Sequence, residues 1–110
     1  MKNKLIHYVQ PQPTVEEEIK AYQKAVRLNA RDAKIYAALA NAYGKKGLLD
    51  ASIFASQKAL SLDPKQSEAY HSLALAHFFK GQRALAVLYC MKARALGAVV
   101  RPRFLKLLNL

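Results

Sequence analysis

The chain is 110 residues long, enough for one compact unit with a modest core and little to spare. It is 53% apolar with only four glycines and four prolines, a profile that favours helices over a sheet, and its one cysteine, Cys90, excludes an intrachain disulfide. The net charge of +11 bears on partners and solubility rather than on the fold, and no apolar run is long enough to span a bilayer.

Residues 1–13 carry two prolines and read as an extended arm or a degenerate helix. Lys2 and Lys4 are followed only by Leu5 and Ile6 before His7, which is no secretory signal, so the expected location is cytoplasmic. Thr14 followed by Glu17 is a capping-box pattern that opens a helix. Glu16, Glu17 and Glu18 fall in its first turn, where the helix dipole favours them, and Ile19, Tyr22, Ala25, Val26 and Leu28 are expected on its apolar side. Residues 14–31 thus form a half repeat, the second helix of a pair.

Two full units follow, residues 33–66 and 67–100. At an offset of 34 residues Tyr36 falls on Tyr70, Leu39-Ala40 on Leu73-Ala74, Lys46-Gly47 on Lys80-Gly81, Lys58-Ala59 on Lys92-Ala93 and Leu62 on Leu96, with no gap. Lys24-Ala25 and Leu28 continue the match backwards. Each unit predicts two helices. Tyr36, Leu39, Ala40 and Tyr43 form the apolar stripe of the first, which Gly47 ends in a left-handed turn. A second helix runs from about Asp50 to Leu62 and stops at Asp63-Pro64. The next unit repeats the plan, with Gly81 between its helices, a second helix from about Ala84 to Leu96, and Gly97 at its end. Residues 101–110 read as a short capping helix with Pro102 in its first turn, followed by Phe104, Leu105, Leu107, Leu108 and Leu110.

The pattern Tyr36-x-x-Leu39-Ala40-x-x-Tyr43, then Gly47, Ala59 and Pro64, resembles the tetratricopeptide repeat. So does Tyr70-x-x-Leu73-Ala74-x-x-His77, then Gly81, Ala86 and Ala93. Tyrosine replaces the usual tryptophan at Tyr36 and Tyr70, Ser56 and Cys90 replace a bulkier aromatic, and Ala98 stands where the proline is usual. The resemblance covers about residues 13–110. It implies an all-α fold, a right-handed superhelical solenoid of antiparallel helix pairs, whose first helices line a concave groove that binds peptides or protein segments.

Carried over position by position, the resemblance selects Lys34, Ala37, Ala38, Asn41 and Lys45 from the first full unit, and Glu68, His71, Ser72, Leu75 and Phe79 from the second. Lys106 and Asn109 of the last helix are further candidates. Asn41 offers a peptide backbone both a donor and an acceptor, Lys34 and Lys45 suit carboxylates, and Leu75 and Phe79 suit an apolar side chain. The blander reading is that Leu75 and Phe79 pack on the neighbouring helix. Of the lysines, arginine and asparagines with which some co-chaperone members grip a terminal carboxylate, only Asn41 is matched, so that clamp is not expected.

Chemistry of other kinds has little support. His71 and His77 lie on different faces of one helix, without a thiol partner or a metal-ligand spacing. His77 and Cys90 read as core residues. No nucleophile, base and orienter occur together and no glycine loop cradles a phosphate, so no enzymatic activity, cofactor or metal is expected. The expected partner is a protein or peptide, with an acidic one favoured by charge. Two alternatives stand beside it. No acidic residue follows Glu68, and Lys20, Lys24, Arg27 and Arg31 share a helix face while Arg101, Arg103 and Lys106 cluster, so a basic surface for nucleic acid or an anionic membrane is one. Nucleic acid is the weaker half of it, because stacking aromatics are not interleaved with the cations. Self-association through an exposed terminal face is the other.

Overall fold

The computed structural model describes residues 11–110, in which all regular structure is helical: α1 (Val15–Leu28), α2 (Ala33–Lys46), α3 (Leu49–Leu62), α4 (Ser67–Phe79), α5 (Arg83–Ala95) and α6 (Pro102–Leu107). Most of the arm predicted over residues 1–13 lies outside the described residues; its last three residues are not helical.

Local chemistry fixes the helix ends. The Glu17 backbone N–H donates to Thr14 Oγ1 at 3.2 Å and the Thr14 N–H to Glu17 Oε1 at 3.0 Å, a complete capping box. Asp32 caps α2 by accepting from Lys34 N at 2.9 Å and more weakly from Ile35 N at 3.4 Å. Gly47 and Gly81 end α2 and α4 at φ 82° and 79°, a region that costs a residue with a Cβ but not glycine. In both turns the next residue returns its N–H to the helix: Leu48 to the Tyr43 carbonyl at 3.0 Å, Gln82 to the His77 carbonyl at 2.8 Å.

Small side chains set the packing. Ala40, Ala59, Ala74 and Ala93 are each fully buried, and Ala86 and Cys90 are buried with them. With little more than a Cβ between the backbones, α2 closes on α3 and α4 on α5, and α2 also packs against α1 and α4. Leu39 packs among Ile19 of α1 and Ala55 of α3, and Leu73 at the equivalent position of the next unit is likewise buried, 5% and 2% exposed. Val100, Phe104 and Leu108 pack over Ala74, Ala86 and Cys90 and close the last pair. Burial pushes the Cys90 thiol above its usual range, the nearby Arg94 opposing, so it is an inert apolar group here.

Polar contacts repeat at the same period. Lys46 Nζ meets Glu16 Oε1 at 2.9 Å, and one unit later Lys80 Nζ meets Asp50 Oδ1 at 2.6 Å. Both join the end of a first helix to the start of the preceding second helix. The hydrogen bond from Lys46 holds the Glu16 carboxyl below its usual range. Lys58 and Lys92 lie over the rings of Tyr36 and Tyr70, at 6.0 and 5.6 Å, so these lysines support the tyrosines of their own units besides facing solvent.

Some side chains depart from expectation. Leu28 is 79% exposed, because nine residues along a helix put it on the opposite side from buried Ile19. Leu107 and Leu110 also face solvent, since a helix as short as α6 covers its neighbours with one side only. His77 is half-buried rather than core: its Nδ1 lies 2.6 Å from Gln82 Oε1 and its ring stacks on Tyr89 at 5.4 Å.

Ser52 and Ser56, both buried on α3, separate the effect of a bonded hydroxyl from an unbonded one. Ser52 Oγ donates to the Ala40 carbonyl at 2.8 Å, whereas Ser56 Oγ has no partner among the described residues. In urea unfolding Ser52→Ala is expected to lose about 0.5–1.5 kcal/mol, and Ser56→Ala to be neutral or stabilising, because it removes a desolvated hydroxyl. Equal losses would contradict this packing.

Candidate protein-binding groove

Residues 34, 37, 38, 41 and 45 of α2 follow the spacing that lines up one helix face, and residues 68, 71, 72, 75 and 79 of α4 repeat it one unit later. Because α2 and α4 lie side by side, the two faces border one depression. It consists of two cavities that share Asn41.

The first cavity is open and polar, about 520 Å³, and is lined by Lys34, Ala37, Ala38, Asn41, Glu68 and His71 together with Gln66 and Val99. Ala37 is 4% exposed and forms its floor, while Lys34, Asn41 and Glu68 stand exposed at its rim. Lys34 makes no ion pair among the described residues. The His71 ring meets Phe104 of α6 edge-on at 6.5 Å. Burial holds His71 below the usual histidine range; Glu68 opposes that shift and Arg101 adds to it. That burial favours the neutral ring, which can offer a bound chain one nitrogen as donor and the other as acceptor.

The second cavity is smaller and apolar, about 140 Å³, and is lined by Asn41, Lys45, Ser72, Leu75 and Phe79 together with Gly44, Leu49, Ser52 and Ala76. That volume suits one apolar side chain better than a free organic ligand, whose pockets run to roughly 300–1,000 Å³. Ser72, 6% exposed, is floor rather than rim. Leu75 is half-buried and packs on the cluster around Phe104. Phe79 does not pack away: it is 67% exposed and touches Phe78 edge-on at 5.4 Å. Lys45 already meets Glu18 of α1, at 3.5 Å in an exposed setting, a contact weak enough to exchange for another carboxylate.

All ten residues selected from the sequence line one cavity or the other. Lys106 and Asn109 line neither. Six lining residues escape sequence reasoning: Gln66 and Val99 lie outside the helices, Gly44 and Ala76 sit on α2 and α4 beside the selected positions, and Leu49 and Ser52 reach the depression from α3. Among the described residues no group of three or more His, Cys, Asp or Glu side chains could hold a metal ion.

Comparison with known proteins agrees with the architecture. A tetratricopeptide repeat model matches residues 33–66 and 67–93, and a second TPR repeat model matches residues 15–47. No curated protein matches the chain. Among solved structures it is similar to the crystal structure of the MamA protein, with 31% sequence identity and a TM-score of 0.66 over 91% of this chain. The match covers 55% of that protein, so the chain spans about half of its length.

His71 provides a measurable check on the polar cavity. An NMR titration is expected to place its midpoint below the usual histidine range. As pH falls below that range, the unfolded chain takes up a proton that the folded chain refuses, so stability drops until His71 itself protonates. His71→Gln is expected to flatten that part of the stability profile. A midpoint in the usual range would mean that the ring is solvated, and one above it that pairing with Glu68 outweighs burial.

Proposed function

The chain belongs to the tetratricopeptide repeat family, and from that membership we propose that it is a non-catalytic scaffold that holds a segment of a partner protein in the depression between α2 and α4. Its fold is the helical solenoid of that family, and such repeats generally mediate protein–protein interaction. The observation that carries the finer reading is the sharing of Asn41 by the two cavities. A chain crossing from one to the other would place its backbone against an amide able both to donate and to accept. It would set an apolar side chain against Leu49, Leu75 and Phe79 and a carboxylate near Lys34. The preferred partner segment is therefore extended or single-turn, with an acidic and a bulky apolar residue a short distance apart.

Self-association is disfavoured, since a second copy would bring +11 against +11. Nucleic acid is also disfavoured: the exposed cations of α1 have no stacking aromatics among them.

The test is affinity capture from a native lysate at moderate salt, with and without nuclease. Wild type is compared with Asn41→Ala/Phe79→Ala, whose two exposed side chains can be changed without disturbing the core. The expected result is a discrete protein that persists after nuclease and is lost by roughly ten-fold or more with the variant, the scale of removing an apolar anchor and a hydrogen bond together. Capture that disappears with nuclease and ignores the variant would assign binding to the basic surface and reject the groove.

A further inference from the structure

The side of α5 that faces away from α4 has the wrong chemistry for a solvated helix face. Seven positions make up this outer arc: Ala84, Leu85, Leu88, Met91, Lys92, Ala95 and the C-cap Leu96, all exposed, with Met91 at 55% and Leu88 at 46%. Only Lys92 is polar, and its ammonium lies over Tyr70. The repeat provides an internal control. The same arc of α1, two units earlier, carries Glu16, Glu17, Lys20, Gln23, Lys24 and Arg27, a mostly charged surface whose one apolar member is Leu28, the counterpart of Leu96. On α3 it is mixed, with Asp50, Gln57 and Lys58 beside Phe54, which is 70% exposed. The backbone period thus keeps the position constant while the side chains change from charged to apolar along the array. Exposed apolar surface of this continuity marks contact with something other than water.

The surroundings restrict what that contact is. Arg83 and Arg94 of α5 are exposed beside the arc, and no acidic residue follows Glu68. The acids at the corresponding helix starts, Glu16 and Asp50, are already held by Lys46 and Lys80, and Ala84 takes their place on α5. The covering surface must therefore be anionic as well as apolar, which rules against a second copy of this cationic chain. Its shape matters too. The arc is the crest of one helix that packs on α4 with its other side. A partner helix docks most readily in a groove between helices, whereas a crest of leucines and methionine enters the headgroup boundary of a bilayer directly, with lysine and arginine reaching back to lipid phosphates.

We propose that the outer face of α5 seats this protein peripherally on an anionic bilayer surface, Leu85, Leu88, Met91 and Leu96 entering the interface and Arg83, Lys92 and Arg94 contacting the lipid headgroups. The site is separate from the groove between α2 and α4 and does not depend on it.

The experiment is flotation of the full chain with vesicles at moderate salt. Phosphatidylcholine vesicles containing about one-third phosphatidylserine are compared with pure phosphatidylcholine vesicles. Three proteins are compared: wild type, Leu88→Gln/Met91→Gln, and the groove variant Asn41→Ala/Phe79→Ala. Circular dichroism checks that each is folded, as expected for changes at exposed positions. Wild type and the groove variant are expected to float with the anionic vesicles and not with the neutral ones. Leu88→Gln/Met91→Gln is expected to bind the anionic vesicles roughly ten-fold more weakly or worse. Wild type that fails to float with anionic vesicles would overturn the proposal, and so would equal flotation of the apolar-arc variant, which would reduce binding to diffuse attraction by cations. If Leu88→Gln/Met91→Gln abolished capture of an acidic protein while no vesicle floated any variant, the face would be a protein-docking surface and the proposal would also fall.

Discussion

The close approach of helices across alanine governs this molecule. Ala40, Ala59, Ala74 and Ala93 are fully buried because nothing larger fits where each first helix meets its second. That spacing makes the pair, and the pair cannot cover its own apolar faces, so the next unit must stack on it. Once the stack forms, the other recurring contacts fall into register. The Lys46–Glu16 and Lys80–Asp50 bridges, the tyrosines beneath Lys58 and Lys92, and the turns at Gly47 and Gly81 are copies of one geometry. None of the exposed ion pairs is strong alone. Their value is that each fixes the same angle between units, so the faces built on the stack are held in place.

Two faces result, with different chemistry. The side lined by α2 and α4 is concave, polar at one end around Lys34, Glu68 and His71 and apolar at the other around Leu49, Leu75 and Phe79. Its floor is rigid, since Ala37 and Ser72 are buried in the stack, while its rim side chains are free to adapt. On the side formed by α1, α3 and α5 successive helices do not pack on one another, and the cavity between α1 and α3, about 370 Å³, has the rings of Tyr36 and Tyr43 in its lining rather than a face shared by two neighbouring helices. There the period keeps the lysine (Lys24, Lys58, Lys92) and the leucine (Leu28, Leu62, Leu96) while the other outer positions change, and the apolar content rises from α1 to α5. Together these faces suit a scaffold able to engage a protein segment on one side while the other side meets an extended anionic surface.

Much of this was legible in the sequence because period and punctuation are local signals. Thr14 with Glu17, Gly47, Asp63-Pro64 and Gly81 mark helix ends through contacts a few residues away, and the helices fall within one or two residues of those marks, whereas the Asp32 cap of α2 escapes that reading. The depression was legible only by way of the family pattern, which names positions but not whether a side chain forms floor or rim. That distinction depends on the neighbouring unit, which is why Ala37 and Ser72 are floor and Phe79 is rim. Leu28 was misplaced because its hydrophobicity outweighed its angle to Ile19. The burial of His71, the unpartnered Ser56 hydroxyl and the contribution of Val99 all arise from contacts between segments far apart in sequence, and no spacing announces them. The outer arc of α5 is visible in the sequence only once the three second helices are set in register and their exposure is known.

The central claim is that recognition occurs in the depression shared by α2 and α4. Its most direct test is amide chemical-shift mapping of the labelled chain during titration with a peptide selected from a random library for binding. The account predicts that the largest shifts cluster at Asn41, Lys45, Leu75 and Phe79 and extend to His71, while Leu85, Leu88 and Met91 stay unmoved. Shifts confined to the outer side of α5 or to the cations of α1, with Asn41 and Phe79 unchanged, would contradict it.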